Sequence, residues 1–320
     1  MEILLLHPGG LGDIILSLPA IAVLRSKCSS ARITFAANID HLDAIASSYA
    51  ERILSLAALP LHRIYSDESL PQDELCFWKS FDRIVSWTGA LNPEFIRNFK
   101  AIHPNVSIAP WKPEPGESRH VSRLFADSLE LGIPPDSELL PAHINPDAIS
   151  LNEGRQWLDA HGWNDGESLA VLHPGAGSAM KRWPLERFIA LAQHLAFEEK
   201  RKLLIVEGPA EPGLAKQIAK DLPASHVIRA ESVSLNLLAA VMAHGGIFVG
   251  NDSGVAHLAA ALSLKSVVLF GPAMPQHWAP LGPDVVVLRN ADTCTGCIQG
   301  NHDHTCLSNV TLNDVVRALH

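Results

Sequence analysis

Three short glycine-containing segments hold most of the residues in this chain whose types and spacing suit chemistry, and each reads as a turn between an apolar strand and a helix. The first is His7-Pro8-Gly9-Gly10-Leu11-Gly12-Asp13. Its glycines permit close backbone approach, and it leads into a helix start, where unpaired backbone N–H groups favour anions. Asp13 is the one carboxylate of the segment. It suits two jobs, capping the helix or accepting a proton from a hydroxyl as a general base. The second is His173-Pro174-Gly175-Ala176-Gly177-Ser178-Ala179-Met180-Lys181-Arg182-Trp183-Pro184. Small residues expose backbone donors there, Ser178 adds a hydroxyl, Lys181 and Arg182 add positive charge, and Pro184 suits a first helical position. That set fits a diphosphate, with a solvated basic turn as the alternative. The third is Gly250-Asn251-Asp252-Ser253-Gly254-Val255-Ala256-His257. Asp252 and Ser253 stand where they would either cap the apolar helix that follows or offer donors to phosphate. His257 falls about one turn into that helix, a place where a lone histidine is more often structural than catalytic.

Two other nucleotide signatures are missing. The dinucleotide fingerprint needs G-x-G-x-x-G and an acid at the end of the second strand; here the loop runs GGLG and the second strand ends Ala36-Ala37-Asn38. The P-loop pattern GxxxxGK[ST] is also absent.

The elements that must position these loops are repeated strand–turn–helix units. Short apolar strands are predicted over residues 2–7, 31–37, 83–87, 168–173, 202–207, 246–250 and 266–270. Helical spacing is predicted over 13–27, 119–131, 151–161 and 184–198, with another helix opening at 258–262. Alternation of this kind implies parallel sheets covered on both faces. The expected architecture is α/β, two doubly wound Rossmann-like domains facing across a cleft, 1–155 and 156–320. Ligands should then sit beyond the carboxyl ends of the strands, at loops 8–13, 174–183, 208–212, 251–257 and 271–277.

Composition narrows the function classes. The chain has 320 residues, 47% of them hydrophobic and 18% charged, so it can bury two ordinary cores. Its formal net charge is −9. Residues 1–150 carry 12 Lys+Arg against 18 Asp+Glu, and the rest 13 against 16, so neither half is a basic platform for nucleic acid. No run approaches the roughly 18 consecutive apolar residues of a membrane helix. The expected location is cytoplasmic, with at most peripheral contact at the inner face of an inner membrane.

Taken together, the three loops resemble glycosyltransferase family 9, which includes the lipopolysaccharide heptosyltransferases. The resemblance rests on Gly12-Asp13 followed by Ile14-Ile15-Leu16-Ser17-Leu18-Pro19, on Pro174-Gly175 with Lys181-Arg182-Trp183-Pro184, and on Asp252-Ser253-Gly254-Val255-Ala256-His257-Leu258-Ala259-Ala260. Gly208-Pro209-Ala210-Glu211, Phe270-Gly271-Pro272 and Gly282-Pro283 fit as well. It implies a GT-B fold and inverting transfer of a heptose or related sugar from an ADP-sugar, ADP-heptose being favoured, to a saccharide or glycolipid acceptor, with no cofactor required for catalysis. By position, Asp13 is the implied base and Lys181 offsets charge on the leaving diphosphate. Gly12, Gly175, Ser178, Glu211, Asp252, Ser253, Gly254 and His257 are the implied nucleotide-sugar contacts. Relatives often carry a basic residue where this chain has His7. Arg63, Lys112, Arg119 and Arg123 are the candidate acceptor contacts, in a half that is acidic overall. A transferase using another nucleotide sugar and a different acceptor, or a non-catalytic nucleotide-sugar-binding protein on the same fold, are the competing expectations.

A separate cluster, Cys294-x2-Cys297-x8-Cys306 with His302 and His304 between, has part of a metal site's spacing. Cys294, Cys297, Cys306 and His304 would make a tetrahedral site for structural zinc or iron. A second CxxC is missing, so a metal-free cysteine-rich loop or a disulfide is the alternative.

Overall fold

The structure is a computed structural model that describes residues 1–37, 48–66, 68–134, 137–208, 211–289 and 305–320. The chain divides into two compact units, Met1–Ala142 and His143–His320. Five strands build the first: β1 Glu2–His7, β2 Arg32–Ala37, β3 Arg52–Ser55, β4 Arg83–Ser86 and β5 Val106–Ile108. They are parallel and ordered β3-β2-β1-β4-β5. Six strands build the second: β6 Leu169–His173, β7 Lys202–Glu207, β8 Val227–Glu231, β9 Ile247–Asn251, β10 Lys265–Leu269 and β11 Val285–Leu288. They too are parallel, in the order β11-β10-β9-β6-β7-β8. In each sheet the order reverses beside the first strand, between β1 and β4 and between β6 and β9. Those switch points place the first and second glycine-containing loops, and the one after β9, at carboxyl edges.

The central strands are continuous apolar runs because helices cover both faces. In the second unit Phe188, Leu191 and Leu195, on the helix Leu185–Phe197, pack with Leu203, Ile205, Val249 and Leu269. In the first, Leu4, Leu6 and Ile84 share a cluster with Trp78, Phe95 and Phe99. All these side chains are fully buried, and each contributes about 1.5–3 kcal/mol or more of transfer free energy. The seven predicted strands are all present to within a residue or two. The four additional ones, β3, β5, β8 and β11, are the edges of the two sheets. Edge strands are short and half-covered, so their apolar signal is weak; β3 is exposed or half-buried along its whole length. No described helix is long and apolar enough to cross a membrane.

The helix Ala148–Ala160 crosses the residue 155/156 boundary expected from sequence, and it belongs with the second unit. It packs on the helix Leu235–Met242. Gly154 makes the crossing close: a Cβ there would lie 2.6 Å from the Ala240 carbonyl carbon and 2.7 Å from its oxygen. Gly154→Ala should therefore lower stability even though alanine favours a helix by about 1 kcal/mol. Overpacking costs about 1–3 kcal/mol, so the urea unfolding midpoint of the variant should fall; an unchanged or raised midpoint would mean that the helices separate freely.

Candidate functional site

In the second unit, one buried amide aligns two of the predicted loops. Asn251, the last residue of β9, is fully buried. Its Nδ2 donates to the Pro174 carbonyl at 2.8 Å, and its Oδ1 accepts from the Trp183 N–H at 2.9 Å. Both ends of the Pro174–Trp183 loop are thus held against β9. Between them, a single 3-10 turn, Ala179–Lys181, starts at Ser178, whose carbonyl accepts from the Lys181 N–H at 3.1 Å. Lys181 Nζ then lies 2.7 Å from Asp252 Oδ2. The lysine side chain is 33% exposed while the aspartate is nearly covered at 7%. The buried partner holds the ammonium, and the ammonium still reaches solvent.

Glu211 ties in a third segment. Its Oε1 accepts from the Ala176 N–H at 3.1 Å and from Arg182 at 3.0 Å. Gly175 is required beneath it, because a Cβ would fall 2.7 Å from Glu211 Oε2 and 3.0 Å from His173 Cε1. Ser253 is the N-cap of the helix Gly254–Ala261, but its hydroxyl makes no capping hydrogen bond. That hydroxyl oxygen is buried without a hydrogen-bond partner among the described residues. His257 is buried in the first turns of the same helix. Lys181, Arg182, Glu211, Asp252 and the helix start at Gly254 are therefore one connected cluster. Asn251 and Trp183 organise it, and neither was marked as a site residue from sequence. Asn251 lies inside a segment already singled out, but nothing local shows that its amide reaches a loop 77 residues away.

In the first unit, Asp13 sits three residues into the helix Leu11–Lys27, whose N-cap is Gly10. Its Oδ2 accepts from the Gly10 N–H at 2.9 Å. The capping role is therefore present, and it fixes the carboxylate's orientation. Behind it, the His7 Nδ1 accepts from the Gly9 N–H at 3.0 Å, which puts the ring proton on Nε2. His7 is fully buried among Phe35, Trp87, Trp111 and Phe125, with ring centroids 5.2–6.5 Å away. Burial pushes its pKa down to about 3, so this position carries no charge near neutrality. His173 is its counterpart in the second unit. Burial lowers its pKa too, against the opposing pull of the Val206 carbonyl and Glu211.

The other predicted residues are dispersed. Arg63 pairs with Glu74 at 3.2 Å and Glu68 at 3.1 Å. Arg119 pairs with Glu117 at 2.6 Å and Asp127 at 2.7 Å, and its hydrogen bonds hold the Glu117 carboxyl down at about 2. Arg123 pairs with Asp127 at 2.7 Å and donates to the carbonyls of Ile133 and Pro134. Lys112 lies 4.4 Å from the centre of the Trp111 ring. Cys294, Cys297, His302 and His304 lie outside the described residues, as do Pro209 and Ala210. Cys306 is buried. Among the described residues no group of three or more His, Cys, Asp or Glu is placed to hold a metal ion.

The sequence model of glycosyltransferase family 9 (heptosyltransferase) matches residues 125–307. Lipooligosaccharide heptosyltransferase 2 of Campylobacter jejuni is 29% identical over 162 residues, which cover 48% of this chain and 50% of that protein. The chain thus spans about half the length of that curated relative. The fold is shared with a family 9 glycosyltransferase from Veillonella parvula, at a TM-score of 0.81 and 20% identity over 99% of this chain and 95% of the other. It is shared as well with the ADP-heptose lipopolysaccharide heptosyltransferase II of Escherichia coli, at a TM-score of 0.75 and 19% identity over 100% and 97%.

The depressed pKa of His7 has a measurable consequence for stability. The unfolded imidazole takes up its proton near pH 6.5 and the folded one only near 3. Between those values the unfolded state binds more protons, so stability is lost as pH falls, by about 1.4 kcal/mol per pH unit for this group. Urea unfolding between pH 4.5 and 6 should show a slope shallower by about that amount in His7→Gln. Equal slopes in the two proteins would mean that His7 titrates normally in the fold.

Proposed function

Because this chain belongs to glycosyltransferase family 9, we propose that it moves a heptose, or a related sugar, from an ADP-sugar to a hydroxyl of a saccharide or glycolipid acceptor, with inversion at the anomeric carbon. The observation that carries the donor side is the 2.7 Å pair of Lys181 and Asp252, set beside the start of the helix Gly254–Ala261 at the β6/β9 switch point. As the glycosidic bond breaks, negative charge builds on the leaving diphosphate. A fixed ammonium and the N–H groups of a helix start stabilise that charge more in the transition state than in the ground state. The Ser178 and Ser253 hydroxyls flank the same region as further donors. Glu211, anchored by Ala176 and Arg182, is the wall assigned to the nucleoside.

On the acceptor side, Asp13 is the base. Its carboxylate is oriented by the Gly10 N–H and removes the proton of the hydroxyl as that oxygen attacks. A single base and attack opposite the leaving group give inversion. The same Gly10 contact favours a second reading, in which Asp13 is only a helix-start residue and the chain binds a nucleotide sugar without turning it over.

Asp13→Asn separates the two. Asparagine keeps an oxygen for the Gly10 N–H but cannot take a proton. It should lower kcat by about 100-fold or more, with ADP affinity unchanged by calorimetry. Unaltered turnover removes Asp13 from the chemistry. Lys181→Ala should weaken ADP binding by about tenfold or more and depress turnover as well, and full ADP affinity in that variant would count against the diphosphate site. Calorimetry of the native chain with ADP, UDP, GDP and CMP fixes the base, and a preference for any nucleotide other than ADP reassigns the donor.

A further inference from the structure

The acceptor side of the first unit is aromatic rather than cationic. A cavity of about 520 Å³ opens between the loops that follow β4 and β5, lined among others by Trp87, Leu91, Pro110, Trp111, Lys112 and Glu114. Its size is that of a small-molecule site. Trp87 is fully buried, and its indole N–H donates to the Ser128 hydroxyl at 2.8 Å. Leu91, another lining residue, is 90% exposed. His7 connects two walls of the cavity to the predicted base: its ring centre lies 5.5 Å from that of Trp87 and 6.5 Å from that of Trp111, and a Cβ on Gly9 would touch His7 Cε1 at 2.7 Å and Asp13 Oδ2 at 2.8 Å.

Charge decides what fits. A phosphorylated or carboxylated acceptor is best held by arginines or lysines that line its site, preferably forked guanidinium groups, and none of Arg63, Arg119 and Arg123 lines this cavity. Arg63, Arg119 and Arg123 are each tied to carboxylates of this chain. Of the lining residues only Lys112 is cationic, its ammonium drawn over the Trp111 ring, and Glu114 balances it. An indole face beside prolines, with no net charge, suits the C–H face of a sugar ring, whose hydroxyls point outward to water.

We infer that this cavity is the acceptor subsite and that it takes an uncharged sugar ring stacked on Trp111. The inference rests on the transferase reading above and adds to it the chemical class of the acceptor.

The test is saturation-transfer NMR on the full chain with ADP present, using lactose, chitobiose and mannobiose as neutral probes and 3'-sialyllactose and mannose 6-phosphate as anionic ones. At least one neutral disaccharide should bind through its ring C–H protons. Its affinity should fall about fivefold or more in Trp111→Ala and recover in Trp111→Phe. It should also be insensitive to a change from about 50 to 300 mM salt, since no ion pair is made. Tighter binding of the anionic probes with strong salt dependence overturns the inference, as does binding of no probe or an unaltered affinity in Trp111→Ala. ADP titrated into the same sample separates the failures. Intact, Lys181-dependent ADP binding with no neutral saccharide bound sinks the acceptor assignment alone, whereas loss of ADP binding sinks the transferase reading beneath it.

Discussion

The second unit depends on one side-chain amide, because the Asn251 carboxamide has to satisfy both ends of the Pro174–Trp183 loop inside a dry sheet edge. A buried carbonyl or N–H left without a partner costs about 1–3 kcal/mol, so neither end of the loop is free to move away. That fixes the path of the chain through Ser178 and sets Lys181 against Asp252, the residue that follows Asn251. Trp183 locks the same loop from the other side: its indole N–H donates to the Val310 carbonyl at 2.8 Å, and Arg187 donates to that carbonyl too. The charged groups of the cluster owe their positions to neutral hydrogen bonds beneath them.

The first strand of each unit runs into the same tripeptide, His7-Pro8-Gly9 and His173-Pro174-Gly175, whose histidine closes the strand, and the two histidines hold opposite tautomers. His7 accepts through Nδ1 from the Gly9 N–H, whereas His173 donates through Nδ1 to the Val206 carbonyl at 3.0 Å. Burial keeps both below their ordinary pKa. A repeated fold and a repeated turn have thus been given different surroundings. The first is caged in aromatic rings, and the second stands beside Glu211, which accepts from the Ala176 N–H and from Arg182.

The acidic balance of residues 1–150 acquires a physical meaning in this light. Carboxylates there are not spread over the surface at random. Glu68 and Glu74 meet Arg63, Glu117 meets Arg119, and Asp127 meets both Arg119 and Arg123, the three arginines that the sequence marked as acceptor contacts. Surface pairs of this kind add little stability, but each one offsets a positive charge of the first unit. Selectivity by charge is set as much by what is neutralised as by what is displayed.

The sequence alone determined the parts whose cause is local. Central strands buried on both faces are unbroken apolar runs, glycine and proline mark the turns after them, and the family motifs fall in order on those turns, so the two α/β units and the loops at their carboxyl edges were legible. Tertiary structure decided whatever depends on partners distant in the chain. The edge strands β3, β5, β8 and β11 exist because a neighbour offers hydrogen bonds, not because their own residues insist. The helix Ala148–Ala160 joins the second unit because Gly154 lets it lie against Ala240. Among the basic residues, only the fold shows that Lys181 pairs with a buried aspartate at a sheet's carboxyl edge, whereas Arg63, Arg119 and Arg123 pair with carboxylates of the first unit. A charge's chemical availability is set by what stands within about 4 Å of it, and a linear sequence does not contain that distance.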